Sequence, residues 1–437
     1  MTRRRVLVVA TDPLQDRMPG PAIRAWHLAE VLAADHDVTL AGTAGVTRSH
    51  PGMRVVAADR PGRAGLLSSA DVAIVPAGVL HEWPEIEAAP IPVVVDLYDP
   101  YHLENLEPAA ASGEEATRAG RDRRVDAMRS AIDRHLRRGD FFLCASERQR
   151  DFWLGSLASA GRVNPYTYDA GPGMDALIAV VPFGLSAAPA VRTGPRLRER
   201  IAGIGAGDPV LLWAGGVYNW FDPLSLVRAV DLLRSDVPDV RLVFLGMGHP
   251  NPAVPAMRMA AETRRLALDL GLRDRHVFFN EGWVPYEQRA SYLLDADVGV
   301  STHLDHIEAR FSFRTRVLDY LWAGLPMVLT GGDVLADLVA GEGLGQAVAP
   351  GDVDGIRSAL RSVLASPDRP DAERFAAVAE RFRWDRVAAP LAAFCADPRP
   401  APDRVARPPA PAGSPWAHDA TVLARRLVQG ALRRLRS

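Results

Sequence analysis

No stretch of the chain approaches the roughly 18 uninterrupted apolar residues of a membrane-spanning helix, so the sequence predicts no helical span. Cysteine is scarce: Cys144 and Cys395 are the only two, far apart and each in an apolar context. That pair fits a reducing cytoplasm and two inert core thiols, and it excludes a zinc site built on cysteine. An excess of charge of one sign is also lacking. Lysine plus arginine number 51 against 53 acids, a formal net charge of -2. The whole chain therefore has no nucleic-acid signature, and any basic function must be local. The opening MTRRRVLVVATDP sets basic residues before an apolar run, as a secretory leader does. The run of about five residues is shorter than the roughly 7–15 a leader requires, and reads instead as a first β-strand.

What is present is a rhythm of short Val/Ile/Leu runs separated by helical segments. The 437 residues are 48% hydrophobic and 24% charged, and they exceed what one core serves; two domains of about 200 residues are expected. The runs RVLVVA, DVTLAG, RVVAAD, DVAIVPA, IPVVVDLYD, DFFLCAS and IAVVPFG predict one buried parallel sheet. A second series predicts another: PVLLWAGG, VRLVFLGMG, HVFFNEG, ADVGVST, PMVLTGG and GQAVAPGD. Residues 1–187 then form an N-terminal Rossmann-like domain, and 188–207, where Pro, Gly and Arg break the rhythm, form a linker. Residues 208–382 form a C-terminal Rossmann-like domain, and a helical segment follows at 383–396. Residues 397–415 are Pro- and Ala-rich and are expected to be an extended linker outside the fold.

The last segment, 416–437, places Val422, Leu423, Leu427, Ala431, Leu432 and Leu435 near one helical face. Arg425, Arg426, Arg433, Arg434 and Arg436 fall mostly opposite. A basic amphipathic helix on a tether suits an anionic membrane surface, or equally docking on the protein itself or a partner.

In doubly wound sheets ligands bind beyond the carboxyl ends of the strands, so the candidate residues are those that follow the runs. After the first strand, Gly20 opens a helix whose N-terminus offers free N–H groups to an anion. After the fifth, Asp96, Asp99, His102 and Glu104 crowd into one polar run, where carboxylates can serve hydroxyls or acid–base chemistry. Asp99 with Pro100 also reads as a plain helix start. In the second half Gly215 and Gly216, followed by Asn219, and then Gly246 and Gly248, permit close backbone approach to phosphate or sugar. Trp220 and Phe221 either stack on a ligand or staple a helix entry.

The stretch RFSFRTRVLDYLWAGLPMVLTGGD sets Arg310, Arg314 and Arg316 around a helix start, with Ser312 as expected N-cap. There, free N–H groups and guanidinium charge suit a diphosphate. The bland reading of Arg316 is an ion pair with Asp319, three residues on. His303, His306 and Glu308 have a spacing compatible with metal, but without a helix or a fourth ligand they read better as a polar loop, with Asp305 and Glu308 facing sugar hydroxyls. No metal site and no cofactor is expected.

The order of these motifs resembles the retaining GT-B glycosyltransferases of family 4, over roughly residues 5–396. The resemblance lies in GPAIRAWHLAEVLAADHDVTL, FFLCASERQR, VVPFGL, VRLVFLGMG, VFFNEGWVPYEQRASYLLDADVGVST, LDYLWAGLPMVLT and RFRWDRVAAPLAAF. It implies two Rossmann-like, doubly wound parallel-sheet domains facing across a cleft, with the 383–396 helix returning to the first.

It further implies a cytoplasmic hexosyltransferase-type enzyme. The sugar would move from a nucleoside-diphosphate-sugar donor to a glycan, lipid-linked or small-molecule acceptor, with retention and without an obligatory metal. By position, Asp319 matches the second glutamate of the family's Glu-x7-Glu motif, which binds the donor ribose. Trp283 and Val284 match the nucleobase contact, and Ser312 to Thr315 the amides that hold the diphosphate. Gly20, Gly215, Gly216, Asn219, Gly246, Arg314 and Arg316 complete the expected donor site. Asp96 and Glu308 are the expected catalytic carboxylates; Arg24, Asp99 and His102 are expected to bind acceptor.

The chain departs from the pattern twice. Phe311 stands at the first glutamate, and Gly216 to Trp220 stand where the family carries an Arg/Lys pair, so Arg314 and Arg316 are the expected replacement cations. An epimerase or phosphorylase on the same fold, or a non-catalytic sugar-nucleotide binder, would share this outline.

Overall fold

A computed structural model describes residues 2–104, 106, 117–248, 256–366 and 371–406. The 416–437 segment and its membrane reading lie outside the described residues. The first sheet is built from β1 (Arg5–Ala10), β2 (Asp37–Gly42), β3 (Arg54–Ala57), β4 (Val72–Pro76), β5 (Val93–Asp96), β6 (Phe141–Cys144) and β7 (Ile178–Val180). The second is built from β8 (Val210–Gly216), β9 (Arg241–Gly246), β10 (Val277–Phe279), β11 (Val298–Ser301), β12 (Met327–Thr330) and β13 (Gly345–Val348). Every strand pair is parallel, as strands that bury both faces must be under helical crossovers.

The strand orders are β3-β2-β1-β4-β5-β6-β7 and β10-β9-β8-β11-β12-β13. Each order reverses once, between β1 and β4 and between β8 and β11. At such a switch point the two flanking loops leave in opposite directions and open a crevice beyond the strand ends. Alternation along β1 shows how the sheet is held. Val6, Val8 and Ala10 join one hydrophobic cluster while Leu7 and Val9 join the other, on the opposite face.

The cluster that holds Val6 and Val8 continues through Phe183, Leu185 and Trp384 to Leu212 and Ala214 of the second sheet, so the two domains share packed core. The chain crosses between them twice, side by side. Leu185 N–H donates to the Phe382 carbonyl (2.6 Å) and Trp384 N–H donates to the Leu185 carbonyl (3.1 Å). The returning segment packs on the first domain, with Phe394 stacked on Phe141 at 4.7 Å.

Residues 397–406 differ from the expected linker. Asp403 takes the guanidinium of Arg162 (2.6 Å), Ala401 N–H donates to Asp140 (2.9 Å), and Arg404 donates to Asp140 (2.7 Å). Composition predicted an extended tether because Pro and Ala dominate. Two buried aspartates, Asp140 and Asp403, hold the segment down instead.

Candidate active site

A cavity of about 170 Å³ opens at the second switch point, under the rim of the first domain. It is lined by Gly20, Gly215, Gly216, Gly246, Trp283, Val284, Thr315, Arg316 and Asp319, all named from sequence, together with Tyr218, Tyr286 and Arg289, which were not. Gly215 has φ of 118°, a conformation that favours glycine and turns the backbone toward the cavity. A Cβ on Gly246 would lie 3.1 Å from the Gly215 backbone and from the Trp283 ring, so glycine keeps the cavity open at this point.

The three arginines of the 310–316 stretch have separate fates. Arg314 is sealed inside, ion-paired to Asp333 and donating to the carbonyls of Ser301 (3.1 Å) and Thr330 (2.7 Å). It braces the ends of β11 and β12 and does not line the cavity, because a buried charge is tolerated when paired and Asp333 supplies the pair. Arg310 sits at the end of a short helix, Ile307–Phe311, over the Phe311 ring at 5.9 Å.

Arg316 lies against the rings of Trp213 and Phe221, 4.5 Å from the centre of each, and donates Nη2 to the Gly216 carbonyl (2.9 Å). Its Nη1 is buried without a partner, and no carboxylate pairs with it among the described residues. Burial pushes its pKa down to about 10, which still leaves the guanidinium charged at neutral pH. The sequence-level pairing with Asp319 does not form, since Asp319 is held by Arg289 at 2.9 Å.

Two other expected donor residues stand behind the cavity. Asn219 accepts from Met259 N–H (3.0 Å) and so steadies the entry to the helix Arg258–Asp269. Ser312 is not an N-cap: it follows the Ile307–Phe311 helix and its Oγ donates to the Ala309 carbonyl (3.1 Å), while Arg314 holds the N-cap position of the helix Thr315–Trp322. A break between the two helices, invisible in the apolar periodicity, moves the cap two residues on.

A second cavity, about 240 Å³, opens at the first switch point and is lined by Asp12, Arg24, Asp96, Tyr98, Asp99 and Tyr101. Arg24 and Asp96, assigned to different tasks from sequence, form one bidentate ion pair (2.6 and 3.1 Å). Arg24 also donates to the carbonyls of Val181 and Pro182, each at 2.9 Å. Asp96 Oδ1 further accepts from Tyr98 N–H (3.2 Å). With both oxygens engaged, Asp96 acts as an anchor of the cavity wall. His102 is turned away: it stacks on Phe152 at 5.7 Å, and burial lowers its pKa.

Between the cavities, the helices Tyr101–Glu104 and Ile307–Phe311 touch across the domain seam. Glu308 is 3% exposed and its Oε2 makes no hydrogen bond among the described residues, with His306 Nδ1 3.8 Å away. Burial, followed by the charge of Asp99, raises its pKa to about 8, so the carboxyl holds its proton at neutral pH. Burial also raises Asp99 and Glu104, each beside another of these carboxyls. Phe311 closes the seam, packed on Phe152 at 4.9 Å with its carbonyl accepting from Gln149 (2.8 Å). His303 is buried against Phe221 (4.6 Å) and is held neutral, first by burial and then by Arg314 and Arg316. Among the described residues no cluster of three His, Cys, Asp or Glu is placed to hold a metal ion.

Two facing Rossmann-like domains with a cavity at each switch point define the GT-B fold of glycosyltransferases. Residues 208–366 match the family model of the glycosyl transferases group 1, which covers nearly all of the second domain. No curated protein matches the chain. Among solved structures it is similar to sucrose-phosphate synthase from Thermosynechococcus elongatus, with 16% identity, a TM-score of 0.63, and coverage of 90% of this chain and 98% of that one. The Anabaena protein HepE in complex with UDP-glucose aligns with 14% identity and a TM-score of 0.61, over 90% of this chain and all (100%) of that one. An Escherichia coli structure described as trehalose-6-phosphate, bound with UDP-2-fluoro glucose, aligns with 12% identity and a TM-score of 0.61, covering 91% and 100%.

Proposed function

We propose that the protein is a family 4-type glycosyltransferase that moves a hexose from a nucleoside diphosphate to an acceptor hydroxyl with retention, without an obligatory metal. The observation that carries this reading is Arg316: a buried, charged guanidinium with an unused donor at a cavity rimmed by glycine backbone. Such a group is costly until an anion meets it. A diphosphate at Gly215, Gly216 and Thr315 meets it, with the nucleobase beside Trp283 and Val284 and the ribose at Asp319. HepE and the Escherichia coli structure are described with a UDP-sugar or its analogue, which supports a nucleotide-sugar donor.

The sugar then points to the seam, where protonated Glu308 can donate a hydrogen bond to a sugar hydroxyl while carboxylates accept from others. The acceptor occupies the first-domain cavity beside Asp99 and Tyr101. The bond from the sugar C1 to the diphosphate oxygen breaks, the acceptor oxygen bonds to C1 on the same face, and the acceptor proton passes to the departing diphosphate. Arg316 lowers the barrier because charge grows on that diphosphate as C1 becomes cation-like. Asp96 keeps Arg24 in place and takes no proton. Glycan, lipid-linked and small-molecule acceptors all fit this scheme. The basic 416–437 segment suits a cytoplasmic enzyme held at an anionic membrane; among the described residues no helix is long and apolar enough to cross one.

Thermal shift against UDP, GDP and ADP, followed by product analysis with the matching sugar nucleotides, tests the proposal. One diphosphate should raise the melting temperature, and its hexose conjugate should be consumed; stabilisation by none of them would end the donor reading. Gly246→Ala should weaken that diphosphate by about tenfold, the lower end of overpacking effects, as read by isothermal titration. An unchanged dissociation constant would remove Gly246 from the donor wall.

A further inference from the structure

Arg289 lies in the segment between β10 and β11 and reaches the donor cavity. Its guanidinium is clamped on both faces, 3.7 Å from the centre of the Tyr286 ring and 4.4 Å from that of Trp322. Nη1 donates to the Tyr286 carbonyl (2.9 Å) and Nε donates to Asp319 Oδ1 (2.9 Å). The Asp319 carboxylate is thus fixed by a group that is itself fixed. Its other oxygen, Oδ2, makes no hydrogen bond among the described residues, and the side chain is 29% exposed at the cavity wall. An aspartate is shorter than a glutamate and has one fewer torsion, so a carboxylate pinned in this way has little freedom to turn away from its ligand.

Resting on the nucleotide-sugar reading above, we propose that Arg289 is a positioning residue whose ion pair aims Asp319 at the ribose diol and so restricts the donor to ribonucleotides. A vicinal diol can give one hydroxyl to Oδ2 and share the second with the pinned carboxylate. A 2′-deoxyribose leaves part of that carboxylate, more than two-thirds buried at the cavity wall, without a donor. Losing a hydrogen bond to a charged group in such a place corresponds to a roughly 10- to 100-fold loss of affinity. Deoxythymidine-diphosphate sugars fall in the rejected class.

The test is isothermal titration of the full chain with matched pairs: UDP and dUDP, ADP and dADP, GDP and dGDP. The wild type should prefer the ribonucleotide of its cognate base by roughly 10- to 100-fold. In Arg289→Met, which keeps an unbranched stem and loses both donors, that ratio should fall to about threefold or less, mainly through weaker ribonucleotide binding. Should the methionine variant not fold, Arg289→Lys, which keeps the charge without the rigid fork, is titrated in its place and should show the same fall. A ratio near one in the wild type, or one unchanged in the variant, overturns the proposal while leaving nucleotide binding intact. Binding of none of the six overturns it together with the donor reading.

Discussion

Arg316→Met binds the nucleoside diphosphate at least about 30-fold more weakly than the wild type, and the variant without ligand melts at a higher temperature. The two effects have one cause. The guanidinium lies against Trp213 and Phe221 with a single hydrogen bond and an orphaned Nη1, and putting an apolar side chain of similar volume in place of a buried charge that has no carboxylate partner among the described residues removes a desolvation penalty. With diphosphate bound, the same charge is matched, and truncating one partner of a buried charge pair costs about 2–5 kcal/mol. Scanning calorimetry with and without diphosphate separates the terms. A variant that loses stability without ligand, or keeps its affinity, would show that Arg316 serves packing alone. Arg314→Met should behave oppositely and destabilise the empty protein, because it strands Asp333 inside the fold.

Glu308→Gln should match the wild type in stability near pH 4.5 and exceed it increasingly toward pH 8.5. The groups that face Glu308 are Asp99 and Glu104 on the first domain and Arg314, Asp333 and His306 on the second. Burial, then the charges of Asp99 and Asp333, raise its pKa from 4.5 to about 8 against the opposing charge of Arg314. A carboxyl whose folded pKa is raised holds a proton that the unfolded chain has released. Its contribution is complete below pH 4.5 and is lost as pH rises toward 8, at up to about 1.4 kcal/mol per pH unit. Asp99 and Glu104 act in the same direction. Glutamine cannot ionise, so the variant escapes the loss. Melting temperatures that run parallel for the two proteins across this range would place Glu308 in solvent instead of in the seam.

The fold was legible because burial on both sheet faces demands continuous apolar runs, and each run named from sequence carries a strand of the two sheets. Much of the donor wall was legible for a related reason. Glycines after strands and a helix start after β11 are consequences of local backbone geometry, and they line one cavity. What was illegible is pairing over distance. Nothing within DLYDPYH tells that Asp96 meets Arg24, 72 residues earlier, and nothing within RFSFRTR tells that Arg314 is consumed by Asp333 while Arg316 is not. Arg289 escaped notice because its partners, Trp322 and Asp319, belong to another helix. The Pro/Ala composition of 397–406 concealed a segment fixed by buried aspartates, since composition averages over the few residues that decide docking.

The doubled crossing between the domains orders events on the ribosome. The first sheet is complete once Val180 has been made, yet Phe141 and Arg162 stay without these partners until Phe394 and Asp403 reach them. Roughly 200 further residues must emerge first, about 10–40 s of synthesis at ordinary rates. The second domain can finish within that interval. The half of the protein made first is therefore the half whose packing is completed last.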